Sequence, residues 1–150
     1  MKSIPQHIYN NIIKNVPIAC VDVAILHNDR ILLVKRKDRP AKNQYWVPGG
    51  RVHKGEMMRD AAFRKCVEEV GLYCHIGPIV HTAETLFQDG PHHIPVHSIN
   101  SCFLAVLKNP DQKIHLDEHH QDFKWVSSIS ELPNLNPYVI SCLKGAGIPE

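Results

Sequence analysis

A chain of 150 residues, 43% hydrophobic and 21% charged, is long enough for one domain with its own core. A formal charge of +2 is too small to point to nucleic acid or an anionic membrane surface. No apolar run approaches the ~18 residues that span a bilayer. The opening "MKSIPQHIYNNIIKNVP" is broken by polar residues every few positions, unlike a secretory leader. The expectation is therefore a single domain over residues 1–150 in the cytoplasm, with no membrane partner. The five cysteines form no C-x-x-C and lie mostly in apolar runs, which predicts reduced core thiols.

In chain order, Ile4, Ile8 and Ile12, with Tyr9 and Ile13 beside them, have helical spacing, and Pro5 suits a first helical turn. "PIACVDVAILHNDRILLVKRK" predicts two strands joined at His27–Arg30. "RPAKNQYWVPGG" predicts a loop with a short strand at Tyr45–Val47, stopped by Pro48-Gly49-Gly50. Residues 56–70 read as a helix with an apolar stripe of Met58, Ala62, Cys66 and Val70, ending at Gly71. Strands follow at 72–87 and 96–107, around the loop "QDGPHHIP", and another at "DFKWV". A last helix is expected from Pro137 to Lys144, with Asn136 as N-cap and Gly145 as stop. Interleaved strands and helices predict an α/β class with a mixed sheet. Of the two histidine clusters, His92, His93 and His97 read as solvated loop residues; the second is His115, His119 and His120.

The helix at 56–70 carries the densest charge. Residues three and four apart share a helical face, so Lys65 neighbours Glu68 and Glu69, and Arg64 neighbours Asp60 and Glu68. By periodicity alone this is a solvated face laced by ion pairs. The preceding Pro48-Gly49-Gly50 adds a second reading. A glycine backbone lets a ligand approach closely, and its free carbonyl with a carboxylate and waters is a donor set that Mg²⁺ accepts. Arg51 and Arg64 could then fork onto phosphate oxygens.

The spacing Gly50, Glu56, Arg64, Lys65, Cys66, Glu68, Glu69, Gly71, Leu72 resembles the signature of the Nudix hydrolases, G-x5-E-x7-R-E-U-x-E-E-x-G-U with U apolar. Only Lys65 departs from it, standing where the signature has glutamate. The resemblance implies the Nudix fold, an α/β/α sandwich with a mixed central sheet. It also implies hydrolysis of a nucleoside diphosphate derivative with Mg²⁺, Mn²⁺ being possible. Lys65 brings a positive charge within reach of both glutamates, which favours one metal ion over several and removes one candidate base.

"VPIACVDVAI", "LLVKRKDRPAKNQYWVPGGRVHKGE" and "LDEHHQDFKWVSS" further resemble the GDP-mannose mannosyl hydrolases, a Nudix subfamily that departs at the same box position. In that subfamily water attacks the anomeric carbon of a GDP-sugar, giving GDP and an inverted sugar. The resemblance implies metal ligands at the Gly49 carbonyl, Glu69 and His119. Because His119 stands where the family has a glutamine, a transition metal such as Mn²⁺ could be favoured. It implies a general base at His120, substrate binding at Arg36, and neutralisation of the leaving diphosphate by Arg51 and Arg64, the latter in many Nudix enzymes pairing instead with the box glutamates. It places Tyr9 where an N-terminal aromatic contacts substrate, in a segment exchanged across a homodimer. Glu68, retained here, holds a second metal or pairs with Arg64 or Lys65. Asp22, on the first strand, binds sugar hydroxyls or pairs with a nearby arginine. The chemistry is consistent with these roles. A leaving diphosphate needs cations upon it, and an imidazole, with a reference pKa of ~6.5, is a better base near neutrality than an exposed carboxylate. Two alternatives stand beside this reading: an ordinary Nudix pyrophosphohydrolase, and a non-catalytic module that binds a nucleotide sugar.

Overall fold

The computed structural model describes residues 3–150; Met1 and Lys2 lie outside the described residues. The elements are α1 (Gln6–Asn15), β1 (Ile18–His27), β2 (Arg30–Arg36), β3 (Tyr45–Trp46), β4 (Gly49–Arg51), α2 (Met58–Val70), β5 (Cys74–Phe87), β6 (Val96–Leu107), β7 (His120–Val126) and α3 (Pro137–Gly145). No helix among the described residues is long and apolar enough to cross a membrane.

The strands form one mixed sheet in the order β3-β2-β1-β6-β5, with β4 also on β1 and β7 on β2. β1 and β6 run parallel over nine register pairs, from Ile18↔Ser98 to Leu26↔Val106, while the other pairs are antiparallel. Alternation along β1 and β2 serves two cores. Val21, Val23, Ile25, Leu32 and Val34 pack with Ala61, Ala62, Cys66 and Val70 of α2. Ala24, Ile31 and Leu33 pack with Tyr138, Val139, Cys142 and Leu143 of α3. Helices thus cover both faces, as the α/β/α sandwich requires. All five cysteines are free thiols, and four of them are buried.

The divergence of β2 from β1 builds the site. The two strands meet only at the hairpin end, Leu26↔Ile31 and His27↔Arg30. There Asn28 and Asp29 both take positive φ, as a two-residue primed turn demands. Beyond that turn the strands separate. Residues 45–51 fill the gap, β3 pairing with β2 and β4 with β1.

Several boundaries differ from the sequence expectation, β7 starting at His120 ahead of "DFKWV" and β3 ending at Trp46. Pro48 does not end the strand region: Gly49–Arg51 resumes as β4, because the unpaired edge of β1 at Cys20–Asp22 is available to it. α2 begins at Met58, leaving Glu56 in the preceding loop, where it accepts from the His53 N–H at 3.0 Å. Leu72 and Tyr73 precede β5, which starts at Cys74. α3 includes Gly145 and is capped by Ala146, while the Asn136 side chain accepts from the Tyr138 N–H as expected of an N-cap.

Candidate active site

Two hollows adjoin at the gap between β1 and β2. One is a cavity of about 210 Å³ whose walls include Tyr9, Trp46 and Phe87 and whose floor includes Asp22, Thr85, Ser98 and Asn100. The other is a cleft of about 610 Å³ that includes Glu69, His120, Lys65 and His119. Arg36, Arg39, Gly49, Gly50 and Pro91 line both. Cations and glycine backbone therefore occupy the junction. This arrangement suits a ligand with an anionic middle and two different ends.

The floor is a directed chain of hydrogen bonds. Thr85 Oγ1 lies 2.7 Å from Ser98 Oγ, which donates to Asn100 Oδ1 at 2.6 Å. Asn100 Nδ2 donates to Asp22 Oδ2 at 2.9 Å, and the Tyr138 hydroxyl donates to the same oxygen at 2.8 Å. Both donors favour the charged carboxylate. Burial outweighs them and raises the Asp22 pKa to about 6, with the charge of Glu69 adding to the rise. Trp46 stacks on Tyr138 at 5.7 Å between ring centroids, fixing the wall to the floor.

Gly49 approaches β1 as only glycine can, while Gly50 lies against the Lys65 side chain of α2. A Cβ at Gly49 would clash with both Asp22 Oδ1 and the Val21 carbonyl oxygen. The register Val21↔Gly50, with Val23 N–H bonding Pro48 O and Val52 N–H bonding Ala19 O, turns the N–H and C=O of Gly49 to the strand edge away from β1. There the Gly49 N–H donates to Glu69 Oε2 at 3.1 Å. Glu69 is 6% exposed, and its Oε1 meets Lys65 Nζ at 3.0 Å. The Gly49 carbonyl and the Glu69 carboxylate are thus hard oxygen donors at one edge. Mg²⁺ commonly takes one or two carboxylates and keeps several waters, so this donor set fits it.

His120 faces the same place. Its ring is buried, Nδ1 lies 2.7 Å from Asp117 Oδ1, and Nε2 lies 3.9 Å from Glu69 Oε2. Asp117 accepts only, so in the neutral ring the proton sits on Nδ1 and the Nε2 lone pair faces Glu69 and the cleft.

Three residues singled out in the sequence are held elsewhere. Arg64, expected on a leaving diphosphate, instead forks Nε and Nη2 onto Glu56 at 2.7 and 3.1 Å. Its Nη1 reaches Glu68 at 3.0 Å, and Nη2 also donates to the Arg51 carbonyl. This fork holds the Glu56 pKa down to about 2, against some desolvation. Arg64 lines neither hollow and serves to tie the 51–56 loop to α2. Glu68, about half exposed, pairs with Arg64 and Lys65 rather than turning toward Glu69's edge. His119 lies in the cleft but its Nδ1 is 2.5 Å from Asp38 Oδ2 and its Nε2 is 3.6 Å from Glu118. The Asp38 hydrogen bond raises its pKa, which opposes the neutral imidazole a metal needs. Among the described residues no group of three or more histidine, cysteine or acidic side chains is arranged to hold a metal.

Arg36 donates Nε to the Pro40 carbonyl at 2.8 Å and faces both hollows. Arg51 lies on the cavity side, its guanidinium 5.4 Å from the Tyr9 ring centroid. α1 brings Tyr9 to the cavity of its own chain, so no second copy is needed for that contact. Replacing Tyr9 by alanine is expected to raise KM roughly three- to fivefold, the worth of one exposed cation–π contact, with kcat little changed. Tyr9→Phe keeps the ring and is expected to keep KM; steady-state kinetics on both variants checks this.

Asp117, Arg39 and the floor residues Thr85, Ser98 and Asn100 were not singled out by sequence. The floor had a legible trace: Ser98 and Asn100 alternate within a strand that is otherwise apolar toward the core. Arg39 had none, because its partner, Asp89 at 2.7 Å, lies in a distant loop.

With this geometry in place, comparison with known proteins is informative. A relative from Haloferax volcanii, "Low-salt glycan biosynthesis protein Agl8", is 31% identical over 140 residues, covering 91% of this chain and 86% of its own. An "ADP-ribose pyrophosphatase" from Methanocaldococcus jannaschii is 43% identical over 56 residues, 37% of this chain and 33% of its own. Among solved structures, a MutT NUDIX hydrolase from Burkholderia pseudomallei superposes with a TM-score of 0.74 at 24% identity, covering 87% of this chain and 98% of its own. The family model described as "NUDIX domain" matches residues 17–138, which span β1 to the start of α3 and every candidate site residue except Tyr9; the chain belongs to the NUDIX domain family and is a Nudix hydrolase.

Proposed function

We propose that this protein hydrolyses a GDP-sugar, of the GDP-mannose or GDP-glucose kind, to GDP and the free sugar by attack of water on the anomeric carbon with inversion. The observation that carries the proposal is His120: a buried imidazole oriented by Asp117 at 2.7 Å, with Nε2 toward the cleft and close to Glu69. Nε2 takes the proton of the attacking water. The bond between anomeric carbon and oxygen breaks, and its electron pair leaves with the diphosphate of GDP. Arg36, at the junction of the two hollows, faces that diphosphate, and Arg51 supports it from the cavity side. Arg64 acts by holding the loop that carries Arg51.

Glu69 and the Gly49 carbonyl would hold Mg²⁺ or Mn²⁺, which supplies positive charge for the departing diphosphate. Asp22 offers its remaining carboxylate oxygen to ligand hydroxyls or amide groups in the cavity. The relative named for glycan biosynthesis supports a sugar-bearing substrate.

A second reading, cleavage between the phosphates, is favoured by the retained Glu68 and by the relative named ADP-ribose pyrophosphatase. Incubation with GDP-mannose and Mg²⁺ or Mn²⁺ in ¹⁸O water separates the two. GDP with label in the free sugar is expected. GMP and sugar 1-phosphate, with label on phosphorus, would establish the second reading. Tight binding without turnover of any nucleotide sugar would instead leave a binding module.

A further inference from the structure

The two hollows differ in chemistry, and the difference bears on the sugar. The cavity has aromatic walls and a polar floor, which suits a flat base. With the diphosphate at the junction, the cleft of about 610 Å³ is left to the sugar. A neutral sugar is held by aromatic faces on its apolar side and by amides or free carboxylates that fork onto neighbouring hydroxyls. Among the described residues lining the cleft there is no phenylalanine, tyrosine or tryptophan, and no asparagine or glutamine. Its two carboxylates are engaged, Asp38 with His119 at 2.5 Å and Glu69 with Lys65 at 3.0 Å. The groups that would recognise a neutral sugar are therefore missing.

Cations stand there instead: Arg36, Lys37, Arg39, Lys42 and Lys65 line the cleft. Arg36 faces the diphosphate, Arg39 pairs with Asp89 at 2.7 Å, and Lys65 pairs with Glu68 and Glu69. The lysine ion pairs among the described residues involve Lys65 and Lys144, and neither Lys37 nor Lys42 takes part in one. The loop that carries both is fixed by its backbone. The Arg36 N–H donates to the Gln44 carbonyl and the Asn43 N–H to the Arg36 carbonyl, closing its base. The Lys37 N–H donates to the His119 carbonyl, Arg36 Nε to the Pro40 carbonyl, and Gln121 Nε2 to Asn43 Oδ1. Only the lysine side chains remain to adapt to a ligand. Two unpartnered ammonium groups in one concave surface raise its potential, which an anionic ligand relieves. We propose that the sugar of the substrate is acidic, a hexuronate whose carboxylate is met by Lys37 and Lys42 while its anomeric carbon faces His120. The proposal rests on the reading that the cleft takes the sugar of a nucleotide sugar, and deepens it by naming the class of sugar.

Steady-state kinetics of the full chain on GDP-mannose against GDP-mannuronate, and on UDP-glucose against UDP-glucuronate, tests it. Each pair differs by one carboxylate, whichever base is accepted. The uronate is expected to have a kcat/KM roughly tenfold higher at low salt, the worth of two partly screened ion pairs. That preference is expected to shrink as NaCl is raised, because the contact is exposed to solvent. In the double variant Lys37→Met, Lys42→Met the ratio is expected to fall to near one, and in Lys37→Glu, Lys42→Glu to reverse. A uronate preference in neither pair would overturn the proposal, and so would a preference that survives the double methionine variant. The bond cleaved is read separately. GMP and a uronate 1-phosphate, with the preference intact, would remove attack at carbon and leave the acidic sugar standing. If no nucleotide sugar is turned over, calorimetric Kd values for the same four compounds decide it: tighter binding of a uronate, lost in the double methionine variant, supports the proposal, and equal binding or none overturns it.

Discussion

Replacing His120 by glutamine is expected to lower kcat roughly 10²–10⁴-fold, the range lost when a positioned general base is removed, and to leave KM nearly unchanged. Glutamine approximates the reach of imidazole and can still meet Asp117, but it cannot take up a proton. His120 is expected to act after substrate is bound, because its Nε2 faces Glu69 at 3.9 Å and not the aromatic walls of the cavity. A joint fall of kcat and kcat/KM would place its contribution in the transition state. The pH profile should also lose the limb that depends on an imidazole. Asp117→Asn is a milder companion: Asn keeps an acceptor for the Nδ1 proton but loses the charge that steadies a protonated ring. An unchanged profile and turnover in His120→Gln would move the base elsewhere, and with it the case for attack at carbon.

Asp22→Asn is expected to separate stability from function. In the metal-free protein the Asp22 pKa stands near 6 against an ordinary value of 3.8. The folded chain therefore keeps a proton that the unfolded chain releases. As pH rises from about 4 to 6 the wild type loses stability, about 2–3 kcal/mol once Asp22 is ionised, and regains it when the pH falls again. Asparagine has no charge to bury, and its carbonyl can accept from both Asn100 and Tyr138. The variant should melt roughly 5 °C or more above wild type at pH 8 and close to it at pH 4, while its KM rises because an amide N–H₂ now faces the cavity where an oxygen accepted. Thermal melts in EDTA at both pH values check this. A stability difference independent of pH would show that the carboxylate is not the group titrating.

Both predictions turn on side chains whose partners are chosen by the fold, and this marks how much could be read in advance. Periodicity revealed the α2 stripe and the adjacency of Lys65 with Glu68 and Glu69, because residues three and four apart on a helix share a face whatever surrounds them. The fixed spacing from Gly50 to Leu72 identified the family, and the strand pattern around Asn28 and Asp29 identified the hairpin. Local geometry is written into neighbouring residues and needs no fold to express it. The choice of partner is different. Arg64 could reach a phosphate or Glu56, and only the placement of the 51–56 loop decided for Glu56. His119 and His120 are adjacent in sequence, yet one is exposed and tied to Asp38 while the other is buried against Asp117, because successive residues at a strand start point to opposite sides. Asp22 meets Asn100 and Tyr138 across 78 and 116 residues of chain. The helices, the turn and the glycine–glutamate spacing are thus properties of local sequence. The floor of the cavity and the pairing of its charges come instead from the parallel register of β1 on β6 and from α3 closing the opposite face, since only long-range packing brings such distant groups within hydrogen-bond reach.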